Sequence, residues 1–150
     1  MKTNYLLLLA CSNLKNQSAT LLTALERYNG GPYKIIRKMQ REKTLPSNIE
    51  IKIISAEFGL IDLQTLIPLY DRKMDALRAN ELKLQIQTGL NQVFLRKKYI
   101  EAYVDLGQQY LLTLEEFRKP PETKFLIARG RIGERLANLK KWLESHREIK

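Results

Sequence analysis

A single cysteine, Cys11, and a single histidine, His146, remove most of the familiar catalytic apparatus at once. One cysteine makes no internal disulfide and no thiolate metal cluster. One histidine, set in the polar tail "ESHREIK", leaves no Ser–His–Asp arrangement and no His-rich zinc site. Neither a metal nor a cofactor is therefore expected. Glycine-rich phosphate loops are missing too: there is no GxGxxG and no Walker sequence, which removes the common nucleotide-cofactor folds. The longest apolar run, "YLLLLA" over residues 5–10, falls far short of the roughly 20 residues a membrane-spanning helix needs. Preceded by one lysine and followed by "CSNLKNQ", it does not read as a signal peptide either. It reads as a strand, and the expected location is the cytoplasm, away from membranes.

Acidic residues are the other deficit. The chain carries 26 Lys and Arg against 16 Asp and Glu, a net charge of +10. That balance favours a polyanionic partner, nucleic acid first and an anionic membrane second. The lone Trp142 sits in a helix that packing explains, so no membrane-surface helix is expected. Chemistry then falls to carboxylates, Lys, Arg, Tyr, Ser, Asn or the lone thiol. What is present suits a folded domain: 150 residues, 44% of them hydrophobic, fit one α/β domain over 1–150, expected to be a monomer.

The pattern along the chain alternates. "NYLLLLACS" reads as a buried strand that empties into the loop "CSNLKNQS". "SATLLTALERY" has helical spacing with Ser18 as N-cap, and "PYKIIRKMQREK" restarts a helix with Pro32 in its first turn. "IEIKIIS" is a second strand, followed by a loop as far as Asp71 and a helix over residues 73–97. "KYIEAYVDLG" is a third strand, "QQYLLTLEEFR" a helix, "KFLIARG" a fourth strand, and "GERLANLKKWLES" a closing amphipathic helix. The order β-α-α-β-α-β-α-β-α predicts a three-layer α/β/α sandwich around a four-stranded parallel sheet. Ligands of such sheets bind outside the carboxyl ends of the strands. Four segments should meet there: "CSNLK", "SAEFGLID", "DLGQQY" and "ARGRIG".

Those segments supply the candidate residues. Ser12, Asn13 and Lys15 are small or cationic groups suited to a base, a sugar or a phosphate, while an ordinary polar turn would use the same types. Cys11 reads first as packing, because nothing nearby in sequence would activate its thiol. Ser55, Glu57, Asp62, Tyr70 and Asp71 bracket a turn at Gly59, and a carboxylate there orients water or opposes charge on a sugar. Asp71 and Asp75 equally suit a helix start. Tyr110 suits stacking on a base. Arg129 and Arg131 flank Gly130 at a strand-to-helix junction, where backbone N–H groups and two guanidinium groups suit phosphate. The basic helix Lys34, Arg37, Lys38, Arg41 and Lys43 reads as a solvated face.

Taken together, "CS…K", "YNGGPY", "SAEFGLI…PLYD", "G..Y" and "RGRIGERLANLKKWL" resemble a small bacterial family with Cys-Ser near its start and an SA-x-(Y/F)-GL…P-x-x-Y-D block. Its members are often described as peroxide-stress proteins and are related to domains of tRNA deazaguanine-modifying enzymes. The resemblance covers nearly the whole chain and implies a uracil-DNA-glycosylase-like fold. It also implies kinship with a phage-defence DNA glycosylase that excises glucosylated hydroxymethylcytosine. The implied reaction is base excision from DNA without a metal. The chain departs from classical uracil-DNA glycosylases in having neither a "GQDPY" motif after the first strand nor a late histidine. Asn13 is then the candidate to position water, and Glu57, Asp62 or Asp71 to oppose an oxocarbenium-like sugar. Cys11, Ser12, Tyr33, Ser55, Tyr70 and Tyr110 are candidates to line the base pocket. Lys15, Arg129, Gly130 and Arg131 would hold phosphates, with Lys15 also placed for a Schiff base. Two rival expectations remain: a DNA-binding stress protein without catalysis, and an enzyme acting on a free nucleoside, a nucleotide or a modified RNA base.

Overall fold

The structure, a computed structural model, describes residues 3–146. Its sheet is built from β1 (Tyr5–Ala10), β3 (Ile49–Ser55), β4 (Gly59–Asp62), β6 (Glu101–Asp105) and β7 (Lys124–Ile127), in the order β4-β3-β1-β6-β7. β3, β1, β6 and β7 run parallel, as the alternating pattern predicts, whereas β4 is antiparallel to β3. The expected four-stranded parallel sheet is thus corrected to a mixed sheet of five strands. The fifth arises where a loop was expected. Gly59, at φ +73°, reverses the chain four residues after Ser55, and the side chain of Gln85 fills the space any Cβ there would need.

The pleat sends alternate residues to opposite faces. Leu7, Leu9, Ile51, Ile53 and Tyr103 pack on α1 (Ala24–Arg27), α2 (Gly31–Arg41) and α5 (Ile132–Ser145) through Leu25, Ile36, Leu139 and Trp142. Leu8, Ile54 and Val104 pack on α3 (Ala76–Arg96) through Ala79, Leu82, Ile86 and Leu90. Helices therefore cover both faces of the sheet. α3 starts on Asp75, whose carboxylate accepts the Arg78 N–H at 2.7 Å.

Two expected helices are shorter than their periodicity. The helix expected from Ser18 is extended through residue 23, where Leu22–Thr23 (β2) pairs antiparallel with Leu66–Ile67 (β5). Its N-cap is Thr23, not Ser18, with the hydroxyl accepting from Glu26 N–H at 3.2 Å. The cause is Arg27. Its side chain is buried and donates to the carbonyls of Asn16 (2.6 Å), Ser18 (2.9 Å) and Thr20 (2.6 Å), the last two of which a helix from Ser18 would have kept for itself. The helix expected over 108–118 is one turn, α4 (Gln108–Leu111), and a 3-10 turn (Leu112–Leu114). There Gln87 of α3 takes the carbonyls of Thr113 at 3.0 Å and Glu115 at 2.9 Å.

His146 closes the fold by stacking on Tyr5, with ring centroids 3.7 Å apart, edge-on to Trp142. Burial lowers its imidazole pKa below the usual 6.5, against the opposing pull of Glu101. The folded state thus binds fewer protons there than the unfolded one. The stability this site contributes is present above about pH 6.5 and is lost as pH falls. His146→Phe should keep the stack and flatten that acid limb in thermal melts run from about pH 7.5 to 5.

Candidate active site

β1 connects to β3 on one side and the chain then returns across it to β6 on the other, so the strand order reverses between β1 and β6. A crevice opens at the carboxyl ends of these two strands. One cavity of about 150 Å³ is walled by Ala10, Cys11, Ser12, Gly30, Tyr33 and Asp105. It shares Pro32, Asp105 and Arg135 with a neighbouring cavity of about 170 Å³ that adds Ile132 and Leu136. Gly30 lets the start of α2 approach the post-β1 loop, since a Cβ there would lie 2.8 Å from Ser12 Oγ.

Asp105 is the carboxylate of this crevice. It ends β6, is only 6% exposed, and takes Arg135 Nε on Oδ1 at 2.9 Å. Arg135 Nη2 goes to the same oxygen, which leaves Oδ2 without a hydrogen-bond partner among the described residues. The pair fixes the carboxylate's direction from a helix on the face it occupies.

A tyrosine cluster backs the crevice. Tyr33 donates to the Ala10 carbonyl at 2.6 Å. Tyr110 shares a hydrogen bond with Cys11 Sγ at 3.0 Å, and the Ala56 N–H points at the same sulfur from 3.5 Å. Tyr70 and Tyr28 hydroxyls meet at 2.6 Å, and Tyr70 reaches Ser55 Oγ at 3.1 Å. Ser55 in turn accepts the N–H groups of Glu57 (3.2 Å) and Phe58 (3.1 Å), which shapes the turn into β4. Lys15 Nζ sits 4.7 Å from the centroid of the Tyr70 ring. Burial raises all four phenols, with the nearby Cys11 adding to it: Tyr28 to about 12, and Tyr33, Tyr70 and Tyr110 well above the usual 10. At neutral pH they are hydrogen-bonding groups, not bases. The sign for stability follows: it is complete below about pH 10 and is lost as pH climbs through the raised values. In an alkaline titration the tyrosinate absorbance of native protein should lag that of urea-unfolded protein, with Tyr70→Phe reducing the lag.

Of the residues expected in the site, Cys11, Ser12 and Tyr33 wall the cavity, and Ser55, Tyr70 and Tyr110 stand directly behind it. Asn13 is exposed on the following loop. The carboxylates expected to act are elsewhere. Asp62 is ion-paired with Lys52, and antiparallel β4 carries it away from the carboxyl edge, so its placement in the crevice is corrected. Glu57 turns toward Arg72 at 3.6 Å. Asp71 is exposed, makes no hydrogen bond or ion pair among the described residues, and precedes a helix that Asp75 caps. Arg129 and Arg131 are exposed beside Gly130 (φ +97°) at the end of β7. Sequence reasoning missed Asp105, Arg135, Tyr28 and Arg78. Asp105 had a signal, a carboxylate ending the apolar run "AYVD"; Arg78, which holds the Ala56 (2.7 Å) and Glu57 (2.9 Å) carbonyls, had none. Among the described residues no group of three or more His, Cys, Asp or Glu is placed to hold a metal, and no helix is long and apolar enough to cross a membrane.

No protein-family profile matches this chain, and no curated protein does. Among solved structures, the crystal structure of AF0587, a protein of unknown function, shares the fold with a TM-score of 0.57 at 15% identity. The match covers 99% of this chain and 47% of AF0587, so this chain spans less than half of that one. At such identity the likeness concerns the fold alone.

Proposed function

We propose that this protein is a DNA glycosylase that hydrolyses the N-glycosidic bond of a modified base and leaves an abasic site. Glucosylated hydroxymethylcytosine in phage DNA is the leading specific substrate, on the sequence resemblance. The observation that carries the reading is the crevice at the strand-order reversal, with the buried Asp105 in its wall and its Oδ2 without a hydrogen-bond partner among the described residues. Lys15, Arg72, Arg129 and Arg131 offer cations on loops at the same edge of the sheet, and the net charge of +10 draws a polyanion to it.

In this scheme a nucleotide leaves the base stack and its base enters beside Ser12 and Tyr33. The C1′–N bond breaks and its electron pair leaves with the base. Asp105 opposes the positive charge forming on the sugar and accepts a hydrogen bond from the attacking water. The water oxygen bonds to C1′; one of its protons neutralises the departing base and the other stays on the new hydroxyl. Arg135 holds the carboxylate in position. Asn13 and Asp71, both exposed, are assigned to the rim instead of the chemistry.

The test is base release. Ordinary, uracil-containing and glucosylated phage DNA are incubated with the protein, and free bases are followed by mass spectrometry. Release of a single type of modified base is expected. Tight, salt-sensitive binding with no base released from any DNA would overturn the glycosylase and leave a DNA-binding protein.

A further inference from the structure

The crevice has two chambers. The first, about 150 Å³ and walled by Ser12 and Tyr33, is the size of a cavity that takes a single six-membered ring. The second, about 170 Å³, lies against Ile132 and Leu136 of α5 and Gly31 of α2. Pro32, Asp105 and Arg135 wall both, so the two form one space that narrows at the Asp105–Arg135 pair. Apart from that pair the second chamber is apolar. Arg135 gives Nε and Nη2 to Asp105, and its Nη1 has no hydrogen-bond partner among the described residues. A bare pyrimidine in the first chamber leaves the second unfilled.

We propose that the second chamber receives a substituent on carbon 5 of a pyrimidine, and that Gly31, Ile132 and Leu136 decide which substituents enter; the inference rests on the glycosylase reading. The covalent geometry of the ring carries it. In a pyrimidine nucleotide, carbon 6 stands between N1, which bears the sugar, and carbon 5. A carboxylate facing C1′ along that edge therefore borders the carbon-5 substituent as well, and Asp105 holds that place between the chambers. Carbon 2, the other neighbour of N1, carries only an oxygen, and carbon 4 lies across the ring. A purine extends its second ring away from the sugar and leaves a chamber beside the carboxylate empty. The lining also selects by chemistry. Pro32, Ile132 and Leu136 suit the C–H surface of a bulky group, and Arg135 Nη1 can donate to an oxygen on it. A hydroxymethyl group or its glycoside meets both conditions. Gly31 keeps the space open: a Cβ there would lie 2.8 Å from Leu136 Cδ1 and displace that side chain from its place in the wall.

The experiment pairs two readouts on the full chain. Base release from duplexes carrying cytosine, 5-hydroxymethylcytosine or its glucoside tests the glycosylase. NMR titration with the same three free bases tests the chamber without any catalysis. The wild type should release the glucosylated base fastest, and should bind that free base about tenfold or more tightly than cytosine. Ile132→Trp, on a side chain 83% exposed, should keep the fold and abolish the preference by filling the chamber's mouth. Gly31→Ala should weaken the same preference, with a thermal melt confirming the folded chain. A wild type that binds the three bases equally, or a preference that both folded variants retain, overturns the chamber while base release continues to support the glycosylase. No base released from any duplex overturns the glycosylase and this inference with it.

Discussion

Asp105→Asn should reduce base release by about 10²–10⁴-fold while the protein stays folded and DNA affinity changes little. The substitution keeps shape and removes charge. Asp105 is the acid walling the crevice, so in the proposed reaction an amide there no longer opposes the positive charge that develops on the sugar as the glycosidic bond breaks. The structural cost is modest because the Arg135 side chain is 24% exposed and turns to water when its partner becomes neutral. A loss of about 1–3 kcal/mol is expected. Affinity is retained because the cations proposed to meet phosphate, Lys15, Arg72, Arg129 and Arg131, lie on other segments. Single-turnover rates beside binding isotherms separate the two effects. Wild-type rates from folded Asp105→Asn would remove Asp105 from the chemistry.

The second large effect is on stability. Arg27→Met should cost about 3–5 kcal/mol, a large share of what holds a small domain together, as read by urea unfolding. The Arg27 guanidinium is fully buried, and besides the carbonyls of residues 16, 18 and 20 it reaches that of Ile67 at 3.4 Å. Methionine fills the volume and donates nothing, so those carbonyls lose their partner together. Arg27→Lys should rescue only a part, because one ammonium does not reproduce a planar fork that serves four acceptors. The damage should extend to the crevice, since the same segment carries Ser12 and Lys15. A variant unfolding at the wild-type urea midpoint would show that the loop keeps itself ordered.

This residue also marks where the sequence misleads. The strands at β1, β3, β6 and β7 and the helices α2, α3 and α5 follow from long apolar periods, which local pattern resolves well. α1 does not, because "SATLLTALERY" has helical spacing until a distant demand, a buried guanidinium needing carbonyls, claims the first half of it. β4 was hidden by its length: four residues that begin with a glycine look like loop until β3 offers an unpaired edge. The same turn explains the misplaced carboxylate. Reading residues 56–71 as one loop keeps Asp62 at the carboxyl edge, whereas a strand reversal moves it to Lys52. Ser12, Ser55, Tyr70 and Tyr110 were legible because each lies at or near a strand's carboxyl end or in the segment that follows, whereas Tyr33, inside α2, came only with the "YNGGPY" resemblance. Asp105 was less so, because its meaning depends on Arg135, thirty residues later on another element.

The most direct measurement is the count of alkali-labile abasic sites formed in glucosylated hydroxymethylcytosine phage DNA by wild-type protein and by Asp105→Asn at equal concentration. The expected result is abasic sites that accumulate with wild type and fall by at least a hundredfold with the variant. DNA left intact by the wild type, or cut equally by both, would contradict the assignment of base excision to the β1–β6 crevice.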